Sequence, residues 1–284
     1  MTERWRVLRE YPEAEKLLQT MDSDPRVTAL RAKMPEVYRE LSPHRWMVAA
    51  LERLPILAVR EMISVRGEAA AMISRKLIVY MSIDAVVNLE PRDLAFVLAH
   101  EAMHALMADV LRSESDGLDQ AIVSAVDDVR NNTMLRDAGI TFHVKSVKYV
   151  EDILPGRRAE DVTFEELYEA LAARRRAKGK EVVPGRTLFD EKAVFDVLGV
   201  VQLGDPDLYD EDPRVVARAR RRWLRAVLRA PDLPPAVRRG IESGWADLLG
   251  ARRGGSEKHH LIQDHLRCES GGLVEEAAGL AEVP

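Results

Sequence analysis

The chain has 284 residues, of which 46% are hydrophobic, and its formal net charge is −5 at pH 7. A chain of this length can bury one sizeable core, and it has no apolar run of the roughly 18 residues that span a bilayer. The negative charge argues against nucleic acid as a general partner, and the single cysteine, Cys268, excludes an internal disulfide. We therefore expect a cytoplasmic protein with no membrane anchor.

The first third of the chain is predicted to contain helices followed by a few short strands. Hydrophobic periodicity predicts helices over 27–54, interrupted at Ser42 and Pro43. Three short apolar runs separated by polar turns come next, a pattern typical of strands in a hairpin or meander: 56–59, 69–73 and 76–81.

A long apolar helix is predicted next, because residues 93–115 contain neither Gly nor Pro. His100, Glu101 and His104 form the pattern H-E-x-x-H in this helix. Positions i and i+4 share one face, so the two imidazoles can bind one metal ion, while the Glu can reach a metal-bound water as general base. A buried core helix explains the apolar run but not these polar residues, since burying them without partners is costly. The motif predicts a zinc peptidase site with His100 and His104 as ligands and Glu101 as the catalytic base.

A catalytic zinc usually has three protein ligands, so a third must lie elsewhere. The metzincin pattern is excluded, because Val110 stands where those enzymes have their third His. A second helix predicted over 119–135 carries Asp127 and Asp128 among apolar residues. Asp128 shares a stripe with core-facing residues and is the preferred ligand, with Asp127 kept as the alternative. Asn132, one turn after Asp128, is placed to hydrogen-bond a ligating group.

Together these features resemble the VWA-like-domain metallopeptidase family, in which an H-E-x-x-H helix precedes a helix with an Asp and an Asn four residues apart. The similar segments are 77–82, 94–104, 125–132 and a helix start over 163–171, where Thr163 and Glu166 form a capping box. The resemblance covers roughly residues 45–250 and implies a zincin-like core with a small sheet beside the metal helix. Longer members continue into a VWA-like domain, and we expect this chain to represent the zincin-like part without it.

The resemblance and the remaining patterns give an α+β fold that is mostly helical. A linker is predicted over 181–185, followed by helices over 190–198, 213–230 and 235–249. We expect three parts in the chain. They are a zincin-like domain over 1–185, a helical extension that packs on it over 186–250, and a flexible tail over 251–284.

The predicted reaction is hydrolysis of a peptide or protein substrate by a Zn²⁺-activated water, with Glu101 as base. Tyr80 and His143 are candidates for oxyanion stabilisation, although a packed strand aromatic and a surface loop residue are the simpler interpretations. One alternative is a peptidase-like adaptor that binds metal and accompanies an AAA+ ATPase of the MoxR type, as the longer relatives do. The intact Glu101 argues against the adaptor. A second alternative is a hydrolase of small amides.

Overall fold

The computed structural model describes residues 24–249, with gaps at 61–62, 65–66, 69, 75–76, 110–117, 143–146, 184–196 and 211. The predicted tail over 251–284 and His143 therefore lie outside the described residues, as does most of the helix predicted over 190–198.

Two helices open the described part of the chain, α1 (Pro25–Leu41) and α2 (Arg45–Leu51). The carboxylate of Asp24 accepts the backbone N–H of Arg26 at 2.9 Å and so caps the start of α1. The predicted interruption at Ser42 and Pro43 separates the two helices. Both helices pack against the later helix that carries the H-E-x-x-H motif.

A four-stranded sheet follows, made of β1 (Ile56–Val59), β4 (Ala71–Ile73), β5 (Val79–Ser82) and β6 (Val197–Gln202). The strand order is β4-β5-β1-β6; β1 and β5 are parallel and the other two pairs are antiparallel. Two very short strands, β2 (Ile63–Ser64) and β3 (Gly67–Glu68), pair separately. The predicted hairpin is therefore correct for β4 and β5, but β1 joins them in parallel rather than as part of a meander.

The strand β6 is a correction to the predicted helix over 190–198, because residues 197 and 198 belong to the strand. Its sequence V-L-G-V-V-Q is a short apolar run, and periodicity alone cannot separate such a run from a buried helical segment. The division of the chain at residue 185 stays a prediction, although β6 pairs with β1 in the same sheet as the earlier strands.

The motif helix follows β5 after a short helix, α3 (Ile83–Val86), and is α4 (Pro91–Leu106). Pro91 occupies its first turn, where a missing N–H costs nothing, and Asp93 suits the positive end of the helix dipole. The helix ends well before residue 115. The physical reason is Ala108, whose φ of 57° is left-handed and incompatible with a continuing α-helix.

The remaining helices are α5 (Gln120–Asp137), α6 (Val150–Ile153), α7 (Phe164–Ala177), α8 (Pro213–Leu228), α9 (Pro235–Gly244) and α10 (Ala246–Leu249). The predicted capping box at the start of α7 is confirmed. The Thr163 hydroxyl accepts the Glu166 N–H at 3.1 Å, and the Glu166 carboxylate accepts the Thr163 N–H at 2.9 Å.

Two apolar clusters meet between α4 and α5. The larger cluster contains the sheet and α4 with the N- and C-terminal helices. The smaller cluster joins α5 to α6 and α7. The fold is thus α+β and mostly helical, with a small sheet against the motif helix, as predicted. Within the described ranges, no helix is both long and apolar enough to cross a membrane.

Candidate metal centre

The two histidines of the motif lie one turn apart on α4 and face the same point. Their Nε2 atoms are 3.1 Å apart, and the rings meet edge to face with centroids separated by 4.7 Å. Phe96, one turn before His100, stacks on the His100 ring at 6.3 Å. The i, i+4 spacing on a helix therefore brings two imidazole nitrogens together.

Asp128 reaches the same point from α5. Its Oδ1 lies 3.5 Å from His100 Nε2 and 3.2 Å from His104 Nε2. The three side chains are partly exposed, by 17%, 13% and 22%. Among the described residues, this is the group of three that brings metal-ligating atoms together.

Asp127, the alternative ligand from the sequence, lies outside this group. It is 5% exposed, whereas the side chain of Asp128 is 22% exposed. Asp127 is therefore the more buried acid of the pair. The carboxylate that lies with the two imidazoles is the more exposed one, Asp128.

Asn132 holds the ring of His100. The amide Oδ1 lies 2.8 Å from His100 Nδ1, and the amide Nδ2 donates to the Lys148 carbonyl at 3.2 Å. An amide oxygen only accepts, so the hydrogen of this bond is on His100 Nδ1, and the ring is held with Nε2 facing Asp128. The predicted hydrogen bond of Asn132 is thus made to His100, one of the two histidines predicted to bind metal.

Asp109 and Asn131 hold the ring of His104, and sequence reasoning missed both. The Asp109 Oδ2 lies 3.2 Å from His104 Nδ1 and accepts an N–H of the Asn131 amide at 2.9 Å. A carboxylate on Nδ1 fixes the proton there and leaves Nε2 free for a metal. The sequence held one signal for Asn131, because two adjacent amides, Asn131 and Asn132, occur in a helix predicted to be buried. In the structure each of these amides contacts one of the histidines.

Glu101 lies beside the group, 7% exposed. Burial raises the pKa of its carboxyl, and His100, His104 and a backbone hydrogen bond with Ile73 of β4 only partly offset this. A carboxyl with a raised pKa is better suited to accept and return a proton.

The comparison with known protein families agrees with this geometry. Residues 74–192 match a family model described as "Putative metallopeptidase domain". The match covers less than half of the chain, so this segment is similar to a metallopeptidase domain. The matched range contains α4 and α5, and hence His100, Glu101, His104 and Asp128. Searches of curated proteins and of solved structures give no match.

Electrostatic interactions couple His104 to its acidic neighbours. Burial lowers the pKa of the His104 imidazole, but hydrogen bonds to Asp109 and Asp128 outweigh it and hold that pKa well above its ordinary value. Burial likewise raises the pKa of Asp128, and hydrogen bonds from His100 and His104 hold it well below its usual range. The metal-free segment thus keeps a protonated His104 next to an ionised Asp128.

Metal binding is therefore expected to release a proton. The folded-state pKa of His104 is raised, so its ring is charged at pH 7 in the metal-free protein, and a metal on Nε2 must displace that proton. Titration calorimetry of zinc in two buffers with different ionisation enthalpies should give a release of about one proton per metal at pH 7. Binding without buffer dependence would contradict this. A pKa that is raised on folding means that the protonated ring stabilises the fold. The stability that His104 gives the metal-free protein is therefore full below about pH 6.5 and is lost as the pH rises through the raised pKa.

Proposed function

We propose that this protein is a zinc-dependent peptidase in which His100, His104 and Asp128 bind the metal and Glu101 is the general base. One observation carries the proposal. Two imidazole nitrogens and one carboxylate oxygen converge beside a buried glutamate, within a segment that is similar to a metallopeptidase domain. The adaptor and small-amide alternatives have no comparable observation in their favour.

The donor atoms fit zinc in type and spacing. Zinc sites with catalytic activity commonly have three nitrogen or oxygen ligands at 2.0–2.2 Å and one open position, whereas calcium prefers six or more oxygens. In a tetrahedron with bonds of that length, the ligand atoms are about 3.3 Å apart. The separations here are 3.1, 3.2 and 3.5 Å, which agree with such a site.

The chain's own residues then have distinct parts in the reaction. When bound, zinc would lower the pKa of a water and polarise the substrate carbonyl. Glu101 accepts the proton of the attacking water and delivers it to the leaving amide nitrogen. Asn132 and Asp109 hold the two imidazoles with Nε2 facing the metal, so that neither ring turns during turnover.

The outer edge of the sheet offers a place for the substrate backbone. β4 is an outer strand, and the hydrogen bonds Ser74 N–H to Ile78 O and Ser82 N–H to Ala70 O fix its register on β5. By alternation, the N–H and C=O groups of Ala71 and Ile73 face away from β5, and the Ile73 backbone already hydrogen-bonds Glu101. An extended peptide would add to this edge beside Glu101, with Ala71 supplying backbone hydrogen bonds. Tyr80, in contrast, is 5% exposed on β5, as expected of a packed strand aromatic.

The activity is tested by incubating the purified protein with a mixture of peptides of known sequence and analysing the products by mass spectrometry. We expect cleavage that a chelator abolishes and one equivalent of zinc restores. Cleavage that persists in chelator with no bound metal would contradict a metal-dependent reaction. The assay contains no ATPase partner. Cleavage therefore indicates a peptidase, whereas an adaptor would leave the peptides intact.

The metal is tested separately by replacing His100 with Ala. We expect the wild-type protein to hold about one zinc ion per chain and His100→Ala to hold almost none, because two ligands cannot retain a catalytic zinc. Metal analysis after gel filtration measures this, with circular dichroism to confirm that the variant is folded. Full zinc content in folded His100→Ala would rule out this ligand set.

A further inference from the structure

The C-terminal end of α4 is held by residues more than 130 positions later in the chain. Trp245, which is 4% exposed, donates its indole N–H to the carbonyls of Ala105 and Leu106, at 3.1 Å each. The last carbonyls of a helix have no partner within the helix. Trp245 therefore gives the Leu106 carbonyl a donor, and gives the Ala105 carbonyl a donor besides the Ala108 N–H, at the end of the helix that carries the two histidines.

The backbone of α9 also lies directly on the turn that follows α4. Gly240 and Gly244 are four residues apart and so share one face of α9. A Cβ at Gly244 would lie 2.7 Å from the Met107 carbonyl oxygen and 3.1 Å from the Ala108 Cβ. A Cβ at Gly240 would overlap the sulfur of Met107. At Gly244 the obstacle is backbone, so only glycine allows this close approach there, whereas at Gly240 the end of the Met107 side chain would have to move.

The turn held in this way directs Asp109 to the metal centre. Ala108 has a φ of 57°, a left-handed conformation that alanine seldom adopts without support from its surroundings. In a continued helix, residue 109 would be rotated about 140° around the axis from His104. With the reversal at Ala108, the Asp109 carboxylate instead meets His104 Nδ1 at 3.2 Å.

We propose that Trp245 and the glycine face of α9, Gly240 and Gly244, are positioning residues of the metal centre. They hold the turn over 107–109 so that Asp109 keeps His104 in the tautomer that binds metal. The inference rests on the proposed function in one respect, the metal at His100, His104 and Asp128. It goes beyond the family match, because α9 and Trp245 lie outside residues 74–192.

The chain supplies a matched control in Trp223. Its indole N–H donates to the Ala50 carbonyl at 3.0 Å, its side chain is fully buried, and its ring meets that of Trp245 edge to face. Trp223→Phe therefore removes an equally buried indole hydrogen bond from the same cluster without touching the turn. Any effect of Trp245→Phe that exceeds that of Trp223→Phe reports on the turn and not on general packing.

The experiment measures zinc dissociation constants and the visible spectrum of the cobalt-substituted protein for both variants. We expect Trp245→Phe to weaken zinc binding by about 10-fold or more, as loss of an outer partner does, and to shift the cobalt bands. Trp223→Phe should change neither the zinc affinity nor the cobalt spectrum, even if both variants have a lower melting temperature. In the background of Asp109→Asn, Trp245→Phe should have no further effect, because it acts through that carboxylate.

The outcomes separate this inference from the proposed function. Wild-type protein that binds no zinc would overturn both. Two results would overturn the positioning role alone, provided that the wild type binds zinc. One is that the losses of zinc affinity in Trp245→Phe and Asp109→Asn multiply in the double variant. The other is that Trp223→Phe loses as much zinc affinity as Trp245→Phe. Gly244→Ala provides a second route if Trp245→Phe does not fold, since its Cβ must displace the Met107 carbonyl. An unchanged zinc affinity and cobalt spectrum in folded Gly244→Ala would also overturn the role.

Discussion

Replacing Glu101 with Gln is expected to reduce peptide hydrolysis by about 10²- to 10⁴-fold while leaving the zinc content unchanged. Gln has the shape of Glu but cannot take a proton from the attacking water. It also removes an ionisable group that burial disfavours, so we expect the variant to fold at least as stably as the wild type. The measurements are the initial rate on any peptide that the wild type cleaves and the metal content of the same sample.

Loss of the hydrolysis rate with an unchanged zinc content would assign Glu101 the role of general base. Loss of both would mean that Glu101 supports the site structurally, whereas retention of both would remove it from the chemistry. A matched comparison is Asp109→Asn, which is equally isosteric but touches His104 and not the reacting atoms. That variant should weaken zinc binding and recover most of its rate when zinc is in excess, whereas Glu101→Gln should not recover.

The parts of the site that local helix geometry controls could be predicted from the sequence. His100, Glu101 and His104 are related by the period of one helix, and Asp128 and Asn132 by the period of another, so each set needed no knowledge of the fold. Their convergence depended only on the two helices packing together. Asp109 could not be predicted, because its position follows from the left-handed turn at Ala108, which is held by α9 and Trp245.

The sheet illustrates the same limit. The antiparallel pair β4 and β5 is local in sequence and was predicted as a hairpin. The parallel pairing of β1 with β5, and the addition of β6 from more than 130 residues later, are long-range contacts. Short apolar runs such as 56–59 and 197–202 are buried on both sides and carry no alternation that would identify their partners.

Replacing Asp128 with Ala should weaken zinc binding by more than the roughly 100-fold that loss of an outer partner produces, because a ligand itself is removed. Asp127→Ala is the matched control. It deletes the same group from the adjacent position of α5, and Asp127 lies outside the group of ligand atoms. We expect Asp127→Ala to lower thermal stability, since that side chain is buried, and to leave the zinc dissociation constant of the folded protein nearly unchanged.

Zinc dissociation constants of both variants, measured by competition with a chelator at pH 7, distinguish the two carboxylates. A small opposing effect accompanies Asp128→Ala, because removing this partner also lowers the raised pKa of His104 and reduces proton competition at Nε2. This effect strengthens zinc binding and so opposes the expected loss of affinity. A large loss of affinity in Asp128→Ala would therefore support the ligand role more strongly. If Asp127→Ala were the variant that lost zinc, the third ligand would be Asp127, and α5 would have to rotate in the metal-bound protein to present it.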